Sequence, residues 1–162
     1  MLEVVMICNS NFRRFKTEIT DLYNSFRKEE YDGEPIKEKD LQHFLNCPSV
    51  KGWILVDGNK VIGILLSSIA DGKSEVMLIN IDEDYRGNDY GTMLMNRYVD
   101  YSKRHKVTEW VVYCNKLKKS LLGNFYYRFG YLEDEEDVDE ETDFLSFTMR
   151  TKKPNIFKIA NK

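Results

Sequence analysis

Residues 79–94 read Ile79-Asn80-Ile81-Asp82-Glu83-Asp84-Tyr85-Arg86-Gly87-Asn88-Asp89-Tyr90-Gly91-Thr92-Met93-Leu94. An apolar β-type run ends at Ile81, a short loop carries one arginine and two glycines, and apolar residues then return at helical spacing. This is a strand that turns into a helix. The first N–H groups of any helix have no partner within it, and the helix dipole favours an anion beside them. Arg86 adds a forked donor suited to phosphate. An ordinary strand-to-helix turn that uses glycine for its backbone freedom would read the same way. No Gly-Lys-Ser/Thr follows, so it is not a Walker loop. The strand before it ends a meander, so it is not a dinucleotide fingerprint either.

The meander is read outward from this loop. Trp53–Val56, Val61–Ile69 and Glu75–Ile81 are three β-type runs joined by Asp57-Gly58-Asn59 and Asp71-Gly72, both strong hairpin signals. Upstream, Leu2–Cys8 is a short strand. Phe12, Phe15, Ile19, Leu22, Tyr23 and Phe26 then predict an amphipathic helix of roughly 16 residues. Glu29–Glu34 reads as a polar loop, and Ile36–Leu45 as a second helix stopped before Pro48. Downstream, Met93, Leu94, Tyr98 and Tyr101 mark a helix and Glu109–Cys114 a strand. Leu121, Leu122, Phe125, Tyr126 and Phe129 mark a last helix, closed by Gly130, and Phe144–Met149 a final strand. The order is β-α-α-β-β-β-α-β-α-β(β). Hairpins in the middle and one β-α-β unit later predict an α/β fold with a mixed, mostly antiparallel sheet and helices on both faces. Residues 1–162 read as one domain, with 150–162 a basic and loosely held tail.

Composition narrows the function classes. The longest apolar run, Val61–Ile69, is interrupted by Gly63, Ser67 and Ser68 and is too short to span a bilayer. No basic region precedes Leu2–Cys8, so no signal peptide is read and a cytoplasmic location is expected. Cys8, Cys47 and Cys114 form no metal-ligand spacing and read as reduced thiols, and with two histidines no metal site is expected. The net charge of −3 is unevenly placed: residues 133–143 hold nine acids and no base. Without that strip, 18 acids face 24 Lys and Arg, a body of about +6. That is enough to attract a phosphorylated small molecule and too little to imply nucleic acid.

A second motif carries the argument further. Asn115 ends the strand at Trp110–Cys114, and Phe125-Tyr126-Tyr127-Arg128-Phe129-Gly130-Tyr131 follows. Together with Arg86-Gly87-Asn88-Asp89-Tyr90-Gly91, these segments resemble the GNAT superfamily of N-acetyltransferases. Its phosphate loop reads Arg/Gln-x-x-Gly-x-Gly/Ala and its later motif Phe-Tyr-x-Lys-x-Gly-Phe. The element order agrees over nearly the whole chain. The resemblance implies that the strands at Ser74–Ile81 and Glu109–Cys114 splay apart and that acetyl-CoA lies between them. Its pantetheine arm would bond along Ile79, Asn80 and Ile81, with Asn115 at the end of the facing strand. Its pyrophosphate would sit on N–H groups of Arg86, Gly87, Asn88, Asp89, Tyr90, Gly91 and Thr92. Asp89 departs from the pattern, standing where the family has glycine, and places a carboxylate near the phosphates. The family commonly forms dimers, so a homodimer is compatible.

Amine acylation sets its own demands. An amine of pKa ~10.4 is neutral about once in 10³ at pH 7, so a general base is useful, directly or through water. The leaving thiolate needs a proton. In the family resemblance Tyr126 falls beside the thioester sulfur and suits that role; its bland reading is a core aromatic between Phe125 and Phe129. Some family members carry a base on the strand before the loop, at the position of Met77 here. Glu75, two residues earlier and so on the same face, is the candidate base, or else a solvated strand-end carboxylate. His105 reads as a helix-end cation and Cys114 as a buried apolar residue. The strip 133–143 is either a solvated turn or an attractor for a basic acceptor, a small molecule or a peptide. The activity expected is acetyl transfer from acetyl-CoA to a primary amine by direct attack in a ternary complex. A non-catalytic acyl-CoA sensor and an interaction domain on the same fold are the rivals.

Overall fold

A computed structural model describes residues 1–134 and 146–159. Strand β1 (Leu2–Met6) is followed by α1 (Asn9–Tyr31) and α2 (Glu38–Leu45). Three strands follow, β2 (Val50–Asp57), β3 (Lys60–Ala70) and β4 (Lys73–Ile81). Then come α3 (Tyr90–Arg104), β5 (Glu109–Asn115), α4 (Lys119–Tyr127), β6 (Leu132–Asp134) and β7 (Ser146–Thr151). The sheet order is β1-β2-β3-β4-β5-β7-β6, with every pair antiparallel except β4–β5. The expected element order and mixed, mostly antiparallel α/β sheet are both present.

Two cores sandwich the sheet. Phe12, Phe15, Ile19 and Leu22 of α1 and Leu41 of α2 pack on Ile54, Ile64, Leu66 and Leu78. Leu94, Met95, Tyr98 and Val99 of α3, with Tyr126 and Phe129, pack on Trp53, Leu65, Val76 and Val112 from the other side. Val76 and Leu78 face opposite cores although they are two residues apart. A bulge explains this: Leu66 pairs with Leu78 but Ser67 pairs with Val76, which leaves Met77 without a partner on β3.

Helix α1 is longer than the apolar spacing predicts. Its 23 residues run to Tyr31, so Glu29 and Glu30 are its last turn and not a loop. Apolar spacing marks the buried face and stops where that face ends, whereas glutamates extend a helix well. The left-handed position that ends the helix is Asp32, at φ 49.

The basic tail is docked as far as Phe157, against expectation. Arg150 and Thr151 belong to β7, and Pro154 is buried. The Asn155 N–H donates to Phe129 O (2.8 Å). The Asn96 side chain bonds both backbone groups of Phe157, at 2.9 Å each. Charge density hid an amide that clamps the chain from another helix. Gly130 at φ 85 lets the tail approach, since a Cβ there would lie 3.1 Å from Lys153 O. The acidic strip falls mainly outside the described residues. Of its described members, Glu133 pairs with Lys119 (2.6 Å) and Asp134 with Arg150 (2.8 Å).

Candidate active site

Strands β4 and β5 pair in parallel only from Lys73–Val76 against Glu109–Val112. Beyond that point β4 stays bonded to β3 as far as Ile81, and β5 stays bonded to β7 as far as Asn115. Each strand therefore turns one unpaired edge toward the other inside the molecule. The Met77 bulge lies where the split begins, and a bulge sharpens the local twist that carries strands apart. The gap is a cavity of 320 Å³ walled by β4 (Val76–Ile81) and β5 (Val112–Asn115). Leu121, Leu122, Phe125 and Tyr126 of α4 and the end of α1 complete its wall. Unpaired strand edges offer N–H and C=O groups to an extended, amide-bearing ligand.

One end of the cavity meets the start of α3. Gly87 sits at φ 80 and Asp89 at φ 60, two left-handed residues that turn the chain sharply into the helix. The Asn88 amide donates to Tyr85 O (3.1 Å) and Arg86 O (3.2 Å), folding the loop on itself. Asp89 is the N-cap residue but makes no capping bond. Its carboxylate lies 3.6 Å from Arg128. The first N–H groups of α3 are thereby left without a side-chain cap, as an anion site requires. Thr92, on the first turn, is 1% exposed and its hydroxyl has no partner. Gly91 lines the cavity, and a Cβ there would press on the Phe125 ring at 3.4 Å. The splayed edges and the uncapped helix start fit the pantetheine arm and diphosphate of a coenzyme A ester.

The side chains named from sequence divide in their placement. Arg86 turns away from the loop: Nε donates to Ile81 O (2.9 Å), and one terminal nitrogen donates to Asn80 Oδ1 (3.2 Å) and Glu29 (2.9 Å). It ties the loop to β4 and α1. Asn80 is buried and its amide donates to Leu22 O (2.9 Å) and Ser25 Oγ (2.8 Å), so its side chain holds α1 to the sheet. Asn115 lines the cavity, and its Oδ1 accepts from the Leu117 N–H (2.9 Å).

Tyr126 lines the cavity and is 3% exposed. Burial pushes its phenol well above the ordinary value, and the neighbouring Cys114, Tyr98, Glu30 and Tyr31 push it the same way. Cys114, also on the cavity wall, is pushed up to about 12 by burial and then by Glu30, which keeps it a thiol. Glu75 is not brought to this wall. It sits where β4 still pairs with β5, opposite Val111, and desolvation alone raises its carboxyl. His105 stacks on Tyr101 at 3.8 Å at the end of α3, as a helix-end residue.

Sequence reasoning missed Glu30 and Lys118, which face the cavity as an ion pair. Glu30 stands four residues after Phe26, hence on the same helix face, and that spacing was the available signal. Among the described residues no cluster of His, Cys, Asp and Glu could hold a metal, and no helix is long and apolar enough to cross a membrane.

A family model described as the acetyltransferase (GNAT) family matches residues 18–131. The chain belongs to that family. No curated protein sequence matches it. An acetyltransferase from Streptococcus agalactiae is similar in structure, with TM-score 0.74 at 19% identity, over 93% of this chain and 98% of that one. The PaiA N-acetyltransferase from Thermoplasma acidophilum, solved with coenzyme A, gives 0.69 at 16% identity, over 94% and 99%. The ribosomal-protein-S18-alanine N-acetyltransferase from Escherichia coli gives 0.70 at 12% identity, over 99% and 97%. At these identities the likeness establishes the fold.

Proposed function

We propose that the protein transfers the acetyl group of acetyl-CoA to a primary amine by direct attack, with both substrates bound together. The observation that carries this reading is Tyr126: a buried phenol, kept protonated by its surroundings, on the wall of the cleft between the splayed strands. A phenol held protonated can donate a hydrogen bond to the sulfur as negative charge grows on it, and burial excludes the water that would otherwise compete.

The other parts follow from the chain's own groups. The free edge of β4 from Met77 to Ile81 would align the pantetheine amides, with one of its N–H groups facing the thioester oxygen as negative charge grows on it. The N–H groups from Gly87 to Thr92 would bind the diphosphate, with Arg128 as the nearby cation that Asp89 now engages. Arg86 holds this loop in shape through Ile81, Asn80 and Glu29. Cys114 takes no part as a nucleophile, since its thiol is held far from ionising at neutral pH. Glu75 lies off the cavity wall, so its role as base would run through bridging water. A homodimer is compatible with this scheme and is not required by it.

The test is turnover: acetyl-CoA with a panel of primary amines, followed by thiol release and by mass spectrometry of the amine. Release that depends on the amine supports the reading. Coenzyme A binding without release would make the protein an acyl-CoA sensor.

A further inference from the structure

Two charged side chains from distant parts of the chain meet on the cleft wall. Lys118, in the turn between β5 and α4, donates its Nζ to Glu30 Oε1, in the last turn of α1. Both line the same cavity as Tyr126 and Phe26. The Glu30 side chain is 11% exposed and that of Lys118 36%. The pair joins the α1 wall to the end of β5, across the opening where β4 and β5 part.

This is a poor place for a carboxylate if helix stability were its purpose. The last turn of a helix is the negative end of its dipole, where an acid is disfavoured and a cation is welcome. Desolvating both partners offsets much of their attraction, so a half-buried ion pair is weak support for a fold. What the position does provide is a carboxylate, engaged by a single cation, on the wall of a mostly apolar cleft. Glu30 lies near enough to Tyr126 and Cys114 for its charge to help keep both protonated. Its occupant here is the ammonium of a lysine, which is itself an alkyl primary amine.

We infer that Glu30 is the residue that binds the cationic head of the acceptor amine, and that Lys118 holds this place until the acceptor displaces it. The inference rests on the acetyl-transfer reading above and adds the acceptor's class. The acceptor is an unhindered primary amine at the end of an alkyl or peptidyl chain, charged when it binds. The cavity that the pair lines also carries Phe26 and Met77, apolar side chains that suit the methylenes behind such a head. An aromatic amine or an alcohol lacks the charge and would bind poorly.

The two partners of the pair then have opposite effects, which a structural brace would not show. The test uses the full chain with linear monoamines and α,ω-diamines of increasing length. Glu30→Gln should raise KM for the amine at least about tenfold, and Glu30→Asp should recover part of it. Lys118→Met removes the internal competitor and should lower the amine KM about three- to tenfold. KM for acetyl-CoA should stay within about twofold in all three. Calorimetry of diamine binding to the coenzyme A complex gives the same comparison without turnover. If wild type binds coenzyme A but acetylates no amine, the acetyl-transfer reading fails while the Glu30 assignment is still decided by that binding. The inference is overturned if Glu30→Gln leaves amine KM and binding unchanged. It is equally overturned if Glu30→Gln and Lys118→Met both raise the amine KM while lowering the melting temperature, which is the behaviour of a brace.

Discussion

Replacing Tyr126 with phenylalanine removes one hydroxyl and keeps the ring. That ring packs against Phe125 at 5.1 Å and Tyr131 at 5.6 Å between centroids, contacts that phenylalanine retains. Stability should therefore move by less than about 1 kcal/mol, roughly 2–4 °C in Tm. The loss belongs to the barrier. The sulfur becomes negative only as the thioester breaks, so a proton donor there stabilises the transition state more than the bound substrates. A positioned acid contributes about 10²–10⁴-fold, and water entering the cleft recovers part of that. We expect kcat to fall roughly 10- to 1000-fold, about 1.4–4 kcal/mol, with KM for acetyl-CoA nearly unchanged. The assay is thiol release at saturating acetyl-CoA and amine, with single-turnover quench to ensure that chemistry limits the rate. Tyr127→Phe is the control, since Tyr127 is 66% exposed and points away from the cleft. The pH profile adds a second reading. Because burial raises the Tyr126 phenol, kcat/KM should climb as the amine deprotonates and show no fall from tyrosine ionisation up to about pH 9.5. Full turnover in Tyr126→Phe, with chemistry limiting, would refute the assignment and leave Tyr126 as a core aromatic.

Further expectations concern the loop and the strand. Arg86→Ala removes bonds to Ile81, Asn80 and Glu29 and should lower stability by about 1–2 kcal/mol after discounting for its exposure, with weaker coenzyme A binding as the loop loosens. Arg86→Lys should not restore it, because a lysine lacks the fork, and a melting curve unchanged in Arg86→Ala would contradict this. Asp89→Gly relieves a left-handed residue at φ 60 and removes a carboxylate beside the proposed diphosphate site, so the coenzyme A dissociation constant should fall about three- to tenfold, about 0.7–1.4 kcal/mol. Weaker binding by calorimetry would mean that the Asp89–Arg128 pair shapes the loop. Glu75 has its folded pKa raised by desolvation, so its contribution is full below the unfolded carboxylate pKa and lost as pH rises through the folded one. Glu75→Gln should therefore melt higher than wild type at pH 7 and lose that advantage below about pH 4. An advantage that grew on acidification would reverse the sign of the argument.

Local chemistry was legible in the sequence, and pairings between distant residues were not. The turn from Ile81 through Gly91 could be read because glycine, a strand end and a helix start are encoded side by side. Gly130 closing the last helix is of the same kind. The bulge at Met77 could not be read, because Val76, Met77, Leu78 and Ile79 are all apolar and suit either face. Arg86 offered a forked cation in a loop, and that alone does not say whether the fork turns outward to a phosphate or back to Ile81 O. The Glu30–Lys118 pair spans 88 residues and needed the fold to bring it together. The tail carried four lysines and an arginine, and its docking depends on an amide at Asn96 that looks like any exposed polar residue of a helix.

Acetyl transfer to an amine in the cleft between β4 and β5 can be followed by the fate of the acetyl carbon. The most direct measurement is to supply acetyl-CoA labelled in the acetyl carbon, with and without primary amines, and follow the label by mass spectrometry. The expected result is label in the amide of the product, one thiol released for each amide formed, and a sharp loss of both in Tyr126→Phe. Label that leaves only as free acetate, or that stays on coenzyme A while the cofactor raises the melting temperature, would contradict it.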